Sequence, residues 1–324
     1  MLMTLVQRIR NGSGLNFDEA LQLAHSDNPR QLYQAADELR KTFHNEEIDL
    51  CSIVNARSGR CSENCKFCAQ SSWYPVDIDT YEIIDEATAL QAARENEAAG
   101  VTRFSLVAAG RSVSEQHIEQ FGKIYEKIAA ETDMSLCASM GFLTPHKAEM
   151  LKAIGVKRYH CNLETSRSFF ANVCTTHTWE EKVKTIETAR EAGLEVCSGG
   201  IIGMGETLKQ RLELAFELQA LNIRSIPLNI LTPIANTPYG GIKPIGVSEV
   251  LTSIAMFRFI NPEAIIRLAG GRNMLGNKQS ACFTSGANGA IVGNYLTTAG
   301  NNLEQDIAMF RSLGYAIASS GGAK

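Results

Sequence analysis

Residues 50–68 read LCSIVNARSGRCSENCKFC. The first six, Leu50 to Asn55, form an apolar, partly β-branched run of strand length, and three cysteines follow in a loop with CX3CX2C spacing. A strand that empties into a ligand-rich loop opens a βα unit, and the rest of the chain repeats the pattern. Seven further runs follow: Val101 to Ala109, Met134 to Met140, Val156 to Leu163, Leu194 to Gly200, Ser225 to Leu231, Ala264 to Gly270 and Gly289 to Gly293. Charged amphipathic stretches such as Trp179 to Ala192 and Thr207 to Leu221 separate them. Eight βα units predict a TIM-type (β/α)8 barrel. An open doubly wound sheet is the alternative, but the alternation never breaks and no linker marks a second domain.

Upstream of the barrel, Thr4 to Arg10 and a segment from Phe17 read as two helices around the breaker Asn11-Gly12-Ser13-Gly14, with Asn16 and Glu19 spaced as a capping box. They are expected outside the main core. The chain thus divides into an N-terminal helical extension, 1–45, and the barrel, 46–324.

A net charge of -4 and a pI near 5.9 leave no broad cationic face for phosphate backbones, which argues against a nucleic-acid partner. No run approaches the roughly 18 uninterrupted apolar residues of a membrane span, so a cytoplasmic protein without a membrane partner is expected. Nine cysteines, an odd number with three packed together, suit metal binding in a reducing compartment better than a disulfide scaffold. The six histidines show no HxH or HxxxH pairing, and no GxSxG elbow supports a hydrolase.

Cys61, Cys65 and Cys68 follow the first barrel strand, at the face where such barrels carry their chemistry. Three thiolates at these gaps can hold three irons of a [4Fe-4S] cubane. The fourth iron then stays open to chelate the amino and carboxylate groups of S-adenosylmethionine, whose one-electron cleavage gives a 5'-deoxyadenosyl radical. The alternatives are a zinc site with a distant fourth ligand, or three buried thiols, and for the whole protein a non-catalytic zinc or iron-sulfur protein. Phe67 is placed to pack on the adenine or to anchor the loop. Gly203, in the glycine cluster after the fifth strand, allows close approach of a cofactor or simply a tight turn.

The stretches Cys61 to Gln70, Thr102 to Phe104, YHCNLETS (159–166), VCSGGIIGMGE (196–206), SIPLNIL (225–231), RLAGGR (267–272) and GANGAIVG (286–293) together resemble the biotin synthase family of radical S-adenosylmethionine enzymes. The likeness runs over roughly residues 40 to 315. It implies sulfur insertion into dethiobiotin, a second, auxiliary iron-sulfur cluster as sulfur source, a flavodoxin or ferredoxin electron donor, and it allows a homodimer. It also implies that Asn162 and Glu164 contact cofactor and substrate, and that Asn229 contacts the ureido ring. Lys182 stands where an arginine pairs with the methionine carboxylate, and lysine would act there as a point charge; a solvated helix charge is the alternative. A related barrel enzyme of the hydrogenase-maturation or mutase type is the alternative function.

The family's auxiliary ligand set, three cysteines and an arginine, falls on Ser105, Cys137, Cys197 and Arg267, so one thiol is missing. A serine alkoxide is scarcely populated at neutral pH and makes a poor iron ligand. Inward side chains of a barrel stack in layers drawn from alternate strands, which puts Cys51, Cys137 and Cys197 on strands one, three and five, with Arg267 on strand seven. Three thiolates there could hold a four-iron cluster carrying an extra sulfide, in place of the usual [2Fe-2S] cluster. Arg267 is at the same time a candidate contact for substrate, with Asn162 and Asn229. Cys161 competes with Cys51 as the replacement thiol, but strand alternation turns it away from the lumen. Cys174 and Cys282 read as isolated structural thiols.

Overall fold

The computed structural model describes residues 2–297 and 300–317. Three helices lead the chain: α1 (Leu2–Arg10), α2 (Phe17–Ala24) and α3 (Pro29–His44). The barrel then alternates β1 (Glu47–Arg57), α4 (Glu86–Ala98), β2 (Arg103–Ala108), α5 (Glu115–Glu131), β3 (Ser135–Ser139), α6 (Pro145–Ala153), β4 (Arg158–His160), the short α7 (Phe170–Val173), α8 (Trp179–Glu191), β5 (Glu195–Cys197), β6 (Gly200–Ile202), α9 (Leu208–Ala220), β7 (Ser225–Ile230), α10 (Val247–Ile260) and β8 (Ile265–Leu268). A 3-10 turn over Arg272–Lys278 and α11 (Ser280–Phe283) lead to β9 (Gly289–Val292), then α12 (Leu303–Ser312) and β10 (Ala316–Ile317). Neighbouring strands are parallel throughout, and pairing of β9 with β1 closes the sheet into a barrel. Every predicted strand is present, and the fold is the expected (β/α)8 type.

The fifth strand departs from the prediction: Leu194 to Gly200 was expected as one run, but it is broken into β5 and β6 around Ser198 and Gly199. The register resumes unchanged, with Cys197 opposite Ser225 and Gly200 opposite Leu228, so the gap faces Pro227. Proline has no N–H to donate to the ladder. Backbone closes on backbone at this point, where a Cβ on Gly199 would lie 1.9 Å from the Pro227 carbonyl oxygen and one on Gly200 2.5 Å from that of Glu164. Packing therefore requires glycine here, independently of any cofactor.

The N-terminal helices also differ from expectation. There are three, because Asn28 caps a further helix and Pro29 starts it. The predicted capping box of Asn16 and Glu19 does form. These helices do not lie outside the core: Val6, Ile9, Leu32, Ala36 and Leu39 are buried in the same apolar cluster as the barrel strands. α10, whose last eight residues are all buried, is sandwiched between α3 and the sheet. Among the described residues no helix is long and apolar enough to cross a membrane.

The Gly199→Ala variant should lose about 1–3 kcal/mol to overpacking. Urea unfolding should show a lower midpoint with unchanged slope; an unshifted midpoint would refute the close-approach argument.

Candidate functional site

The three loop cysteines follow β1 at the C-terminal mouth of the barrel. Their loop is laced to itself by Cys61 N–H to Gln70 O (3.0 Å) and Ser72 N–H to Cys61 O (2.8 Å), and to the end of α7 by Lys66 N–H to Val173 O (3.0 Å). Glu63, between the first two cysteines, is 6% exposed, and its carboxylate accepts from Thr176 Oγ1 (2.8 Å) and Arg111 (3.2 Å) and meets His177 Nδ1. Arg111 also reaches the Thr176 carbonyl (3.0 Å) and the Glu181 carboxylate. Burial alone would raise the Glu63 carboxyl, but the hydrogen bonds from His177 and Thr176 and the charge of Arg111 hold it below the usual range.

Burial raises the Cys61 and Cys68 thiols, the latter to about 11, while backbone N–H groups of Glu63 and Gly110 act on Cys61 and those of Gln70 and Ser71 on Cys68 in the opposite sense. Contact with Cys174, then burial, raises Cys65 well above the usual thiol range. Thiols this deeply buried ionise against a bound metal rather than against water. Donor amides aimed at the sulfurs fit an iron-sulfur cluster. The three sulfurs are also not gathered within 4.8 Å of one another, as a single tetrahedral ion would require.

Around the mouth, the Lys182 side chain is 13% exposed and stands 3.4 Å from Glu164 Oε1. It is therefore not the solvated helix charge considered above: burial would lower its pKa, but Glu164 and the Cys161 and Cys65 thiols raise it. Glu164 adopts the left-handed φ of 69°, fixed by its N–H to Gly199 O (3.1 Å) and by Ile201 N–H to its own carbonyl (2.8 Å). Asn162 Oδ1 accepts from Gly199 N–H (3.0 Å). Asn229 accepts from Gly270 N–H (2.8 Å) and donates to Gly200 O (3.2 Å). Gly203 N–H is engaged by the Glu206 carboxylate (2.7 Å). Phe67 packs with Val173, Ile201, Met204 and Leu231, and with Cys68 and Asn229 it lines a cavity of about 220 Å³.

Deeper in the lumen lies a second group. Cys51 pairs through Arg103 to Ser135 on β3, Cys137 through Arg158 to Glu195 on β5, Cys197 through Ser225 to Ile265 on β8, and Arg267 through Gly289 to Asp49 on β1. At every second strand the next member of the group sits two residues further on, the constant stagger that places Cys51, Cys137, Cys197 and Arg267 in one layer. The thiols act on one another: burial raises Cys51 and drives Cys137 to about 12, each pushed further by a neighbouring thiol. Cys197 is also penalised by burial, yet His160, Arg267 and Arg158 bring it down to about 6. Ser225 Oγ lies 3.3 Å from Cys197 Sγ. Ser105 Oγ is buried with no hydrogen-bond partner, which is compatible with a group bound beside it. Arg267 is 2% exposed and held by Asp49 Oδ1 at 2.6 Å. Cys161 faces outward into the apolar core.

Sequence reasoning missed the support of the loop: Glu63, Arg111 and His177 carry no motif spacing. It also set Cys174 aside, which lies against Cys65. A Glu63→Gln variant removes the charge that gathers His177 and Arg111, and should cost about 2–3 kcal/mol at neutral pH. A depressed carboxyl adds stability that is complete above its unfolded pKa and lost as pH falls through its folded one. Urea unfolding of the metal-free chain between neutral and acid pH should therefore show a shallower loss for the variant, and parallel curves would overturn this reading.

Residues 56–218 match the Radical SAM superfamily and residues 227–316 the Biotin and Thiamin Synthesis associated domain. Among solved structures, methylornithine synthase superposes with a TM-score of 0.84 at 15% identity, covering 98% of each chain. The FeFe-hydrogenase maturase of Carboxydothermus hydrogenoformans gives 0.81 at 16%, covering 98% of this chain and 79% of its own. These two show the fold alone. Biotin synthase of Desulfotalea psychrophila is 54% identical over 98% of this chain and 96% of its own length, and that of Clostridium tetani 47% over 98% of both. At this identity, over nearly the whole length, the chain belongs to the biotin synthase family.

Proposed function

We infer that this chain is a radical S-adenosylmethionine enzyme that inserts sulfur into dethiobiotin to form biotin. The observation that carries the reading is two groups of three thiols at two depths of one barrel lumen, one in the loop over the mouth and one on strands β1, β3 and β5. Cys61, Cys65 and Cys68 would hold a [4Fe-4S] cluster that, with two S-adenosylmethionine molecules in turn, would supply two 5'-deoxyadenosyl radicals, one for each of two unactivated C–H bonds, while the auxiliary cluster would supply the sulfur.

The chain's part is positioning. Lys182, beside Glu164, offers a largely desolvated cation to the methionine carboxylate. Asn229 spends one N–H and one lone pair on Gly200 and Gly270, which leaves the other N–H and lone pair for a ureido group. Asn162 is held by one oxygen in the same way and presents its amide nitrogen to cofactor and substrate. Phe67 and the apolar cavity wall keep water from the radical.

We propose further that Cys51, Cys137 and Cys197 hold the auxiliary cluster as a four-iron species with an extra sulfide, Arg267 lying alongside in the same layer. Ser105 then lines the site without ligating. A flavodoxin or ferredoxin supplies the electrons.

Anaerobically reconstituted protein with S-adenosylmethionine, dithionite and dethiobiotin should yield 5'-deoxyadenosine and biotin together by mass spectrometry. Deoxyadenosine without biotin points to a different radical substrate; neither, with intact clusters, points to a non-catalytic iron-sulfur protein. For the auxiliary assignment, Cys51→Ala should lose about half of the bound iron. Unchanged iron and sulfide would sink the three-thiol layer as its ligand set.

A further inference from the structure

Among the described residues one set of three metal-ligating side chains has all its ligand atoms within 4.8 Å of one another, and it is not either cluster set: it is Cys65, Cys174 and His177. A tetrahedral ion with metal–sulfur bonds of ~2.3 Å holds two sulfurs ~3.8 Å apart, so this set needs only small shifts to close on an ion. The loop triplet is spread more widely, as a cubane requires. Cys65 is the one residue common to both.

The two chain segments that carry the set are fixed side by side. Lys66 N–H donates to Val173 O (3.0 Å), so Cys65 and Cys174 flank a backbone hydrogen bond. Asn64 Oδ1 accepts from Thr175 N–H (2.9 Å) and Thr176 N–H (3.3 Å). His177 is 7% exposed, and its Nδ1 lies 3.3 Å from Cys174 Sγ. Phe142 and Phe170 meet the imidazole edge-on and hold it in place. Its Nε2 is buried without a partner, so Nδ1 is the nitrogen turned toward the sulfurs. Glu63 Oε2 meets that nitrogen but lies outside the mutually close set, so the three side chains leave the fourth position of an ion to solvent. Cys174 Sγ otherwise has only the weak partners Asn64 Oδ1 (3.3 Å) and Thr176 Oγ1 (3.4 Å).

We propose that in the cluster-free chain Cys65, Cys174 and His177 bind one thiophilic divalent cation, at a site exclusive with the loop cluster because Cys65 serves both. Two thiolates and an imidazole select Zn(II), Fe(II) or Co(II) over Mg(II) and Ca(II). An ion there withdraws Cys65 from the triplet, so cluster assembly has to expel it. Depending on the metal, the site is a place where iron first lodges or where zinc blocks loading. It requires only the folded chain, not the radical chemistry.

Co(II) is the probe. The full-length chain, stripped of iron anaerobically, should take up one Co(II) with a thiolate charge-transfer band and tetrahedral d–d bands. Cys174→Ala and His177→Asn should weaken binding by about tenfold or more, whereas Cys61→Ala and Cys68→Ala should leave it unchanged. Circular dichroism checks that each variant is folded, and Cys174→Ser repeats the test with nearly the native shape. Reconstitution of the cluster should release the cobalt into the filtrate. The proposal is overturned if Cys61→Ala or Cys68→Ala removes the bands while Cys174→Ala and Cys174→Ser keep them, if no tetrahedral Co(II) forms, or if cobalt stays bound beside a complete cluster.

Discussion

The lumen of this barrel is organised around the ion pair of Arg267 and Asp49. The guanidinium, on β8, reaches past β9 to Asp49 Oδ1 on β1 at 2.6 Å, and also donates to the carbonyls of Asp49 (3.1 Å) and Ala290 (3.4 Å). Replacing a buried ion pair by well-packed apolar groups is often neutral or stabilising, so fold stability does not account for this one. Its surroundings do. Arg103 and Arg158 act on the same space, and although both also pair with Glu195, at 3.9 and 2.7 Å, the three guanidiniums exceed the two carboxylates of Asp49 and Glu195 by one charge. That excess of positive charge faces Cys51, Cys137 and Cys197. The floor of the barrel is thus prepared for a group of sulfur anions before any metal arrives.

The barrel and this layer were legible because both follow from constants of the architecture. Parallel strands buried on both faces read as apolar runs, and a fixed stagger turns strand number into height in the lumen. Cys51 could therefore be placed with Cys137 and Cys197 even though position 105 is serine. The break at Gly199 was not legible, since its cause, Pro227, sits on another strand. Nor was the docking of α1 to α3, whose partners on α9 and α10 lie some two hundred residues away, as with Tyr33 and Ser248, 215 positions apart.

The loop failed to reveal its support for the same reason. Glu63 meets His177 across 114 residues, with no spacing rule to announce the pair. Cys174 looked isolated along the chain and is isolated only there. Local periodicity reports which face of an element is buried, while a site assembled by two loops is fixed only when the barrel closes.

The two thiol groups consequently differ in how firmly they are held. The lower one rides on strands whose ladder fixes each side chain, the more precise way to mount a site. The upper one rides on a loop and owes its shape to side chains, chiefly Glu63 with Arg111, Thr176 and His177. This division suits the chemistry. Under the function proposed above, a sulfur source must present one atom at a fixed height to the substrate, whereas the radical source must take up and release S-adenosylmethionine at the open mouth. The same loop-to-loop bonding that shapes the upper site sets Cys65 beside Cys174, and so exposes the cluster-free loop to capture of a single ion.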